Sequence, residues 1–236
     1  MFKAILEVVK FVEPDEIVHI GDLMDYPQPS RWTKGTREEF EGNIYSASEA
    51  AKKAILEPLR AVFDGPIGVH EGNHDMRPRL YLEKYAPALS QTDMLNFEKL
   101  LDFDGFGITR LPDFYNVAAG WITTHGHLGG IRLNQNAGMT ALNGAKRIGK
   151  NIIMGHTHRA GVSSFTQGIE GQTNTITGVE VGHILNPKAV TYLRGASGNW
   201  QQGFALLEID KNNVTPRILP VLGNKVIVDG VVFPTR

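Results

Sequence analysis

Four short stretches of this sequence run from apolar residues into side chains that bind metal ions. They are His19-Ile20-Gly21-Asp22-Leu23-Met24-Asp25, His70-Glu71-Gly72-Asn73-His74-Asp75, Thr123-Thr124-His125-Gly126-His127 and Met154-Gly155-His156-Thr157-His158. Carboxylate and amide oxygens and imidazole nitrogens are the donors taken by hard and borderline divalent cations. Asp22, Asn73, His125, His156 and His158 are therefore candidate ligands. A mixed nitrogen and oxygen set suits manganese, iron, zinc or nickel. The chain has no cysteine, which removes thiolate ligation and disulfides from consideration and suits an intracellular, cytoplasmic protein.

The apolar stretches Ile17 to Ile20, Pro66 to Val69, Trp121 to Thr124 and Asn151 to Met154 read as buried strands of a layered sheet. In open α/β sheets ligands gather beyond the carboxyl ends of the strands, where all four segments place their polar residues. Around these strands the pattern predicts helices over Met1 to Phe11, with Phe2, Ile5, Leu6, Val9 and Val12 on one face, over Arg37 to Phe63 with a break near Pro58, over 78 to 101 with a break at Pro87, and over Ala137 to Ile148. One strand over 116 to 124 should deliver His125. After Arg159 the pieces Thr173 to Val181, Phe204 to Ile209, Val214 to Leu219 and Lys225 to Phe233 read as antiparallel strands parted by Gly, Asn or Asp.

At 236 residues and 42% hydrophobic, the chain can bury a substantial core as a single α/β domain, and no linker divides it. A net charge of -1 gives no bulk attraction for a nucleic-acid coat or a membrane surface, so any affinity for phosphate must be local. No apolar run approaches the roughly 18 residues of a membrane span, and Met1 opens an amphipathic helix rather than a signal peptide.

Gly21-Asp22-Leu23-Met24-Asp25, Gly72-Asn73-His74-Asp75, His125-Gly126 and Gly155-His156-Thr157-His158 resemble, in this order, the motifs of the calcineurin-like metallophosphoesterase superfamily. Ser30-Arg31-Trp32, the Arg77 to Tyr85 stretch, Gly161 and Asn199 to Phe204 resemble the branch found in phage and bacterial genomes. The resemblance implies a two-sheet αββα sandwich flanked by helices and hydrolysis of a phosphomonoester or phosphodiester, nucleotide or nucleic acid among them, by a metal-bound hydroxide. The superfamily's opening Asp-x-His occurs nowhere in the chain, so its first strand is expected to be missing, with about 10–20 residues absent.

By the same resemblance Asp22 bridges two metals, Asn73, His125 and His156 complete one site, and His158 belongs to the other. With Asp-x-His gone, one ion should bind tightly rather than two. His74 assists the leaving group, and Asp25 fixes its tautomer. Asp75 either joins the site or satisfies loop amides. Arg77 and Arg79 either bind substrate phosphate or sit as solvated charges at a helix start, and Arg31 beside Trp32 either receives a nucleotide or belongs to packing. Trp200 carries the same pair of readings. His127 is a rival of His125, which the resemblance favours; His19 and His70 read as core or interface histidines, and His183 has no motif around it. The rival to an enzyme is a catalytically impaired metal-binding or assembly protein that has lost half of a dinuclear site. A missing central strand also points to an oligomer.

Overall fold

Residues 1–186 and 198–235 are described by a computed structural model of the chain. The fold is mixed α/β, and the residues separate into two compact units, Val9–Pro112 and Asp113–Arg236 with Met1–Val8.

The first helix, α1 (Phe2–Val12), forms where the apolar periodicity places it. Ala4 and Val8 are its buried positions, while the larger residues expected on that face are half-buried. In the Val9–Pro112 unit, β1 (Ile17–His19) and β2 (Ile67–Val69) run parallel, Ile17 opposite Ile67 and His19 opposite Val69. The chain between them is less uniform than the single helix expected. A left-handed Gly42 (φ 80°) precedes Asn43, whose side chain accepts the Ser46 N–H at 2.8 Å and starts α2 (Ile44–Ala51). A wider π-type turn over Lys52–Leu56 then leads into α3 (Glu57–Arg60). Pro58 explains that turn, because proline has no N–H for the regular ladder and its ring crowds the preceding carbonyls.

After β2, α4 (Arg77–Tyr85) ends just before Pro87, and α5 (Phe97–Leu100) and α6 (Phe103–Phe106) are single turns in place of the longer helix expected. The periodicity missed β3 (Ile108–Arg110), which lies parallel to β2 and makes it the centre of a three-stranded sheet. Strand β1, on the edge of that sheet, is half-buried rather than buried. The core here joins Tyr26, Leu56, Val69, Phe97, Leu101 and Phe103, the two phenylalanine rings meeting edge to face at 5.0 Å.

In the other unit the segment expected as one strand is a hairpin, β4 (Tyr115–Ala118) and β5 (Trp121–Thr124), turned at left-handed Gly120. Beyond it come α7 (Met139–Ile148), β6 (Asn151–Met154), β7 (Ala160–Ile169), β8 (Gln172–Val181), β9 (Gly203–Asp210), β10 (Asn213–Pro220), β11 (Lys225–Val228) and β12 (Val231–Pro234). The order β4-β5-β6-β8-β7 forms one mixed sheet, with β5, β6 and β8 parallel, which corrects the expectation of a wholly antiparallel tail. Strand β7 was not expected at all. The piece from Lys225 to Phe233 is also a hairpin, turned at Asp229 and Gly230.

Alternation along these strands sorts the core. Ile122, Ile152 and Met154 face Ala141 and Ala145 of α7, while Trp121, Ile153 and Val179 face Leu207, Val214 and Ile218 of the β9–β10 hairpin. Gly178 lets α7 approach β8, since a Cβ there would lie 2.0 Å from the Leu142 nitrogen.

Candidate functional site

Both units carry candidate residues beyond the carboxyl ends of parallel strands, seven of the ten in Val9–Pro112 and His125, His156 and His158 in the other. In the Val9–Pro112 unit the turn after β1 brings Gly21 (φ 89°) and Asp22 (φ 52°) into left-handed conformations. Asp22 Oδ1 accepts the backbone N–H of His74 at 2.9 Å, which joins this turn to the one after β2. Gly72 is required for that approach, because a Cβ would stand 2.1 Å from Asp22 Oδ1 and 2.3 Å from Asp22 N. Asp75 is fully buried and ties the same two turns together, accepting from Met24 N–H at 2.9 Å and Gly72 N–H at 2.8 Å. Of its two readings, loop-amide satisfaction is the one these contacts describe. Asn73 heads the turn between them.

The His74 ring lies with Nδ1 2.6 Å from Asp25 Oδ1. That hydrogen bond, more than the neighbouring Arg77 charge, holds the Asp25 carboxyl below its usual range against the opposing effect of burial. Asp25 is therefore an acceptor at neutral pH, and the hydrogen of the contact sits on Nδ1. Arg77 Nη1 donates to Asp25 O at 2.6 Å and to Asp25 Oδ1 at 2.8 Å, with Nη2 3.3 Å from His74 Nε2. Asp25, His74 and Arg77 thus form one connected group.

Arg79 has other partners, reaching Glu83 at 3.1 Å and buried Glu71 at 3.3 Å. Glu71 also receives Arg110 at 2.5 Å, and burial, the dominant influence, raises its pKa despite both arginines. Arg31 is exposed and lies over the Trp32 ring at 4.6 Å. His19 Nδ1 accepts the Gly21 N–H at 3.2 Å, a turn-supporting role. His70 is buried, as a core histidine would be.

In the other unit β5 delivers His125, which is buried, and β6 delivers His156 and His158, both left-handed (φ 65° and 60°). The His125 and His156 ring centres are 5.0 Å apart, and His127 lies 5.2 Å from His125 and 6.3 Å from His156. Two imidazoles bound to one ion through nitrogens at about 2.0–2.1 Å have ring centres roughly 5 Å apart, so the His125–His156 pair fits a shared cation. The loop between His156 and His158 is fastened by Thr157, whose hydroxyl donates to Glu180 Oε2 at 2.6 Å. Glu180 Oε1 accepts Thr140 N–H at 2.8 Å and Ala141 N–H at 3.3 Å from the first turn of α7.

The amino-acid sequence is 54% identical over 232 residues to the Gene 54 protein of Mycobacterium phage D29 and 52% identical over 232 residues to that of Mycobacterium phage L5. The alignments cover 98% of this chain and 91% of each relative. The chain belongs to this Gene 54 protein family of mycobacteriophages. No family model and no solved structure matches it. The relatives come from phages, and the Gene 54 name itself states no activity.

For a Gene 54 protein family member the chemistry must therefore be read from its own residues, and two of these, Glu180 and His183, carry no visible signal in the sequence. Glu180 looks in sequence like one more polar residue of a Thr- and Val-rich strand, and its role appears only when α7 and the His156–His158 loop meet it. His183 and Trp200 gather around His158, with ring centres 5.5 Å and 4.5 Å from it. Burial, with a smaller contribution from His158, pushes the His183 imidazole down to about 4, so it is neutral at pH 7. Among the described residues no helix is long and apolar enough to cross a membrane.

Proposed function

We propose that this chain is a calcineurin-like metallophosphoesterase that hydrolyses a phosphomonoester or phosphodiester. The observation that carries the reading is backbone strain at the proposed ligands. Asp22, His156 and His158 are all non-glycine residues held at positive φ. Left-handed backbone is uncommon outside glycine, and it persists where surrounding contacts hold it. Glu170, Lys211, Asn224 and Asp229 share it in turns between strands, and Glu13, Tyr26 and Asp102 share it in other loops, whereas Asp22, His156 and His158 carry it within the motif segments that follow β1 and β6.

The proposed donors of the tight ion are Asp22, Asn73, His125 and His156, with His158 a donor toward a second. Manganese, iron, zinc and nickel all suit the set. A bound divalent ion would supply Lewis acidity toward a phosphoryl oxygen and a lower pKa for water. The remaining work falls to the chain. Asp25 holds the Nδ1–H of His74, and its carboxylate would stabilise the imidazolium whose Nε2–H gives its proton to the departing oxygen. Arg77, 3.3 Å from that Nε2, keeps positive charge where phosphoryl oxygens would gather. Arg79 is committed to two carboxylates and serves the turn rather than the substrate.

The test is turnover of p-nitrophenyl phosphate and of bis-p-nitrophenyl phosphate by chelator-stripped protein resupplied with manganese. Metal-dependent hydrolysis of either ester, abolished in His125→Ala, is expected. Absence of turnover with manganese, iron, zinc and nickel alike would overturn the proposal.

A further inference from the structure

His183, which no motif accounts for, is built into the surroundings of His158. Three backbone hydrogen bonds hold the two residues to one segment. Gln201 donates its N–H to the His158 carbonyl at 2.9 Å and accepts the His183 N–H at 3.2 Å, and Gly203 donates to the His183 carbonyl at 3.0 Å. Gly182, just before His183, is left-handed (φ 84°) and donates to the Arg159 carbonyl at 2.7 Å; a Cβ there would lie 2.7 Å from the Gln201 carbonyl. This join holds the two backbones in place relative to each other.

The rings fit a shared ligand. Their centres lie 5.5 Å apart and their planes are inclined by 44°. That separation falls within the roughly 5–5.5 Å reached by two imidazoles that bind one tetrahedral ion at about 2.0–2.1 Å. His183 Nδ1 is shielded from solvent and has no hydrogen-bond partner among the described residues. A buried polar nitrogen without a partner costs free energy, and an ion is one of the groups that can remove the cost. Trp200 packs edgewise against both rings, at 4.5 Å from His158 and 6.1 Å from His183, and gives the pair an aromatic wall.

We propose that His158 and His183 are an imidazole pair that binds one divalent cation of the nitrogen-preferring class, zinc, nickel or cobalt, with His183 as a ligand that the motif pattern does not include. This deepens the metallophosphoesterase reading and rests on it for the role of His158. With two protein donors, this ion binds more weakly than the one held by four, and its remaining positions are open to water.

Cobalt(II) is the probe, titrated into the chelator-stripped full chain and followed by calorimetry and by visible absorption, which reports ligand number. Wild type is expected to take up a tight ion and a weaker one. His183→Ala and His158→Ala should each weaken the second event at least tenfold and leave the first, whereas His125→Ala should remove the first. His183→Gln, which retains hydrogen-bonding capacity but offers no imidazole, should lose the second event while keeping the wild-type thermal melt. Unchanged cobalt isotherms in His183→Ala would overturn the pair, as would a single event in wild type that His183→Ala leaves intact. Failure of the enzyme reading looks different: both cobalt events present, with no ester hydrolysed.

Discussion

The Thr157 hydroxyl donates to the Glu180 carboxyl at 2.6 Å, and Glu180 itself has no solvent exposure. The loop carrying His156 and His158 therefore hangs from an acceptor on β8 that also closes the start of α7. Glu180→Ala would strand two backbone N–H groups and a hydroxyl in the interior, at about 1–3 kcal/mol for each group. Urea denaturation should show a stability loss of that kind, with Glu180→Gln losing less because its amide keeps an acceptor oxygen. Wild-type stability in Glu180→Ala would mean that water satisfies these groups.

Gly72 offers a sharper steric test. A methyl group there would overlap Asp22 Oδ1 and N, both part of a strained turn. Gly72→Ala should destabilise by about 1–3 kcal/mol, the usual cost of overpacking. If Asp22 is a metal donor as proposed, Gly72→Ala should also weaken metal binding by displacing its carboxylate. Calorimetric melting and metal titration read the two effects separately, and a variant with normal values for both would show that the turn shifts freely.

If the enzyme reading holds, His74→Asn should lower turnover by about 10²–10⁴ while leaving metal content nearly unchanged, since its side chain is a proton carrier in that reading rather than a ligand. Asp25→Asn should cause part of that loss, because His74 Nδ1 then loses its charged acceptor at 2.6 Å. Arg79→Gln should leave KM for aryl phosphate close to wild type, given the pairing of Arg79 with Glu71 and Glu83. A large rise in KM would return Arg79 to the substrate.

Glu39 supplies a pH dependence away from the candidate metal ligands. Lys34 at 2.6 Å, the Gly35 N–H and the Tyr81 hydroxyl bring its pKa from 4.5 down to about 2, Lys34 having the largest effect. A lowered folded pKa stabilises the native state above the unfolded value and ceases to do so as pH falls through the folded value. Between pH 4.5 and 2 the unfolded chain therefore takes up this proton first, and stability falls. Glu39→Gln should flatten this part of the urea midpoint profile; an unchanged slope would assign the acid loss to other carboxyls.

The sequence by itself determined the elements with strong local signals. Strand β6 and helices α1 and α7 lie where periodicity places them, because each buries one face or one continuous run and none contains a proline. Breakers were visible too, but their geometry was not. Pro58 announces a disturbance, while the π-type turn and the cap at Asn43 depend on what the helix packs against. The hairpin turns at Gly120 and at Asp229-Gly230 lie inside nine-residue pieces that read as single strands when their apolar residues outweigh the turn residues between them, although Asp-Gly is itself a hairpin signal. Candidate ligands were legible as motifs, since glycine beside histidine or aspartate marks a tight turn in any context. The tertiary structure alone decided which polar residues support them. Glu180 meets Thr157 across 23 positions, Asp75 meets Met24 across 51, and His183 is fastened through Gln201 to His158, so no local pattern could contain these pairs. Burial then makes each pairing consequential, because a polar group removed from water must find its partner wherever the fold has brought one.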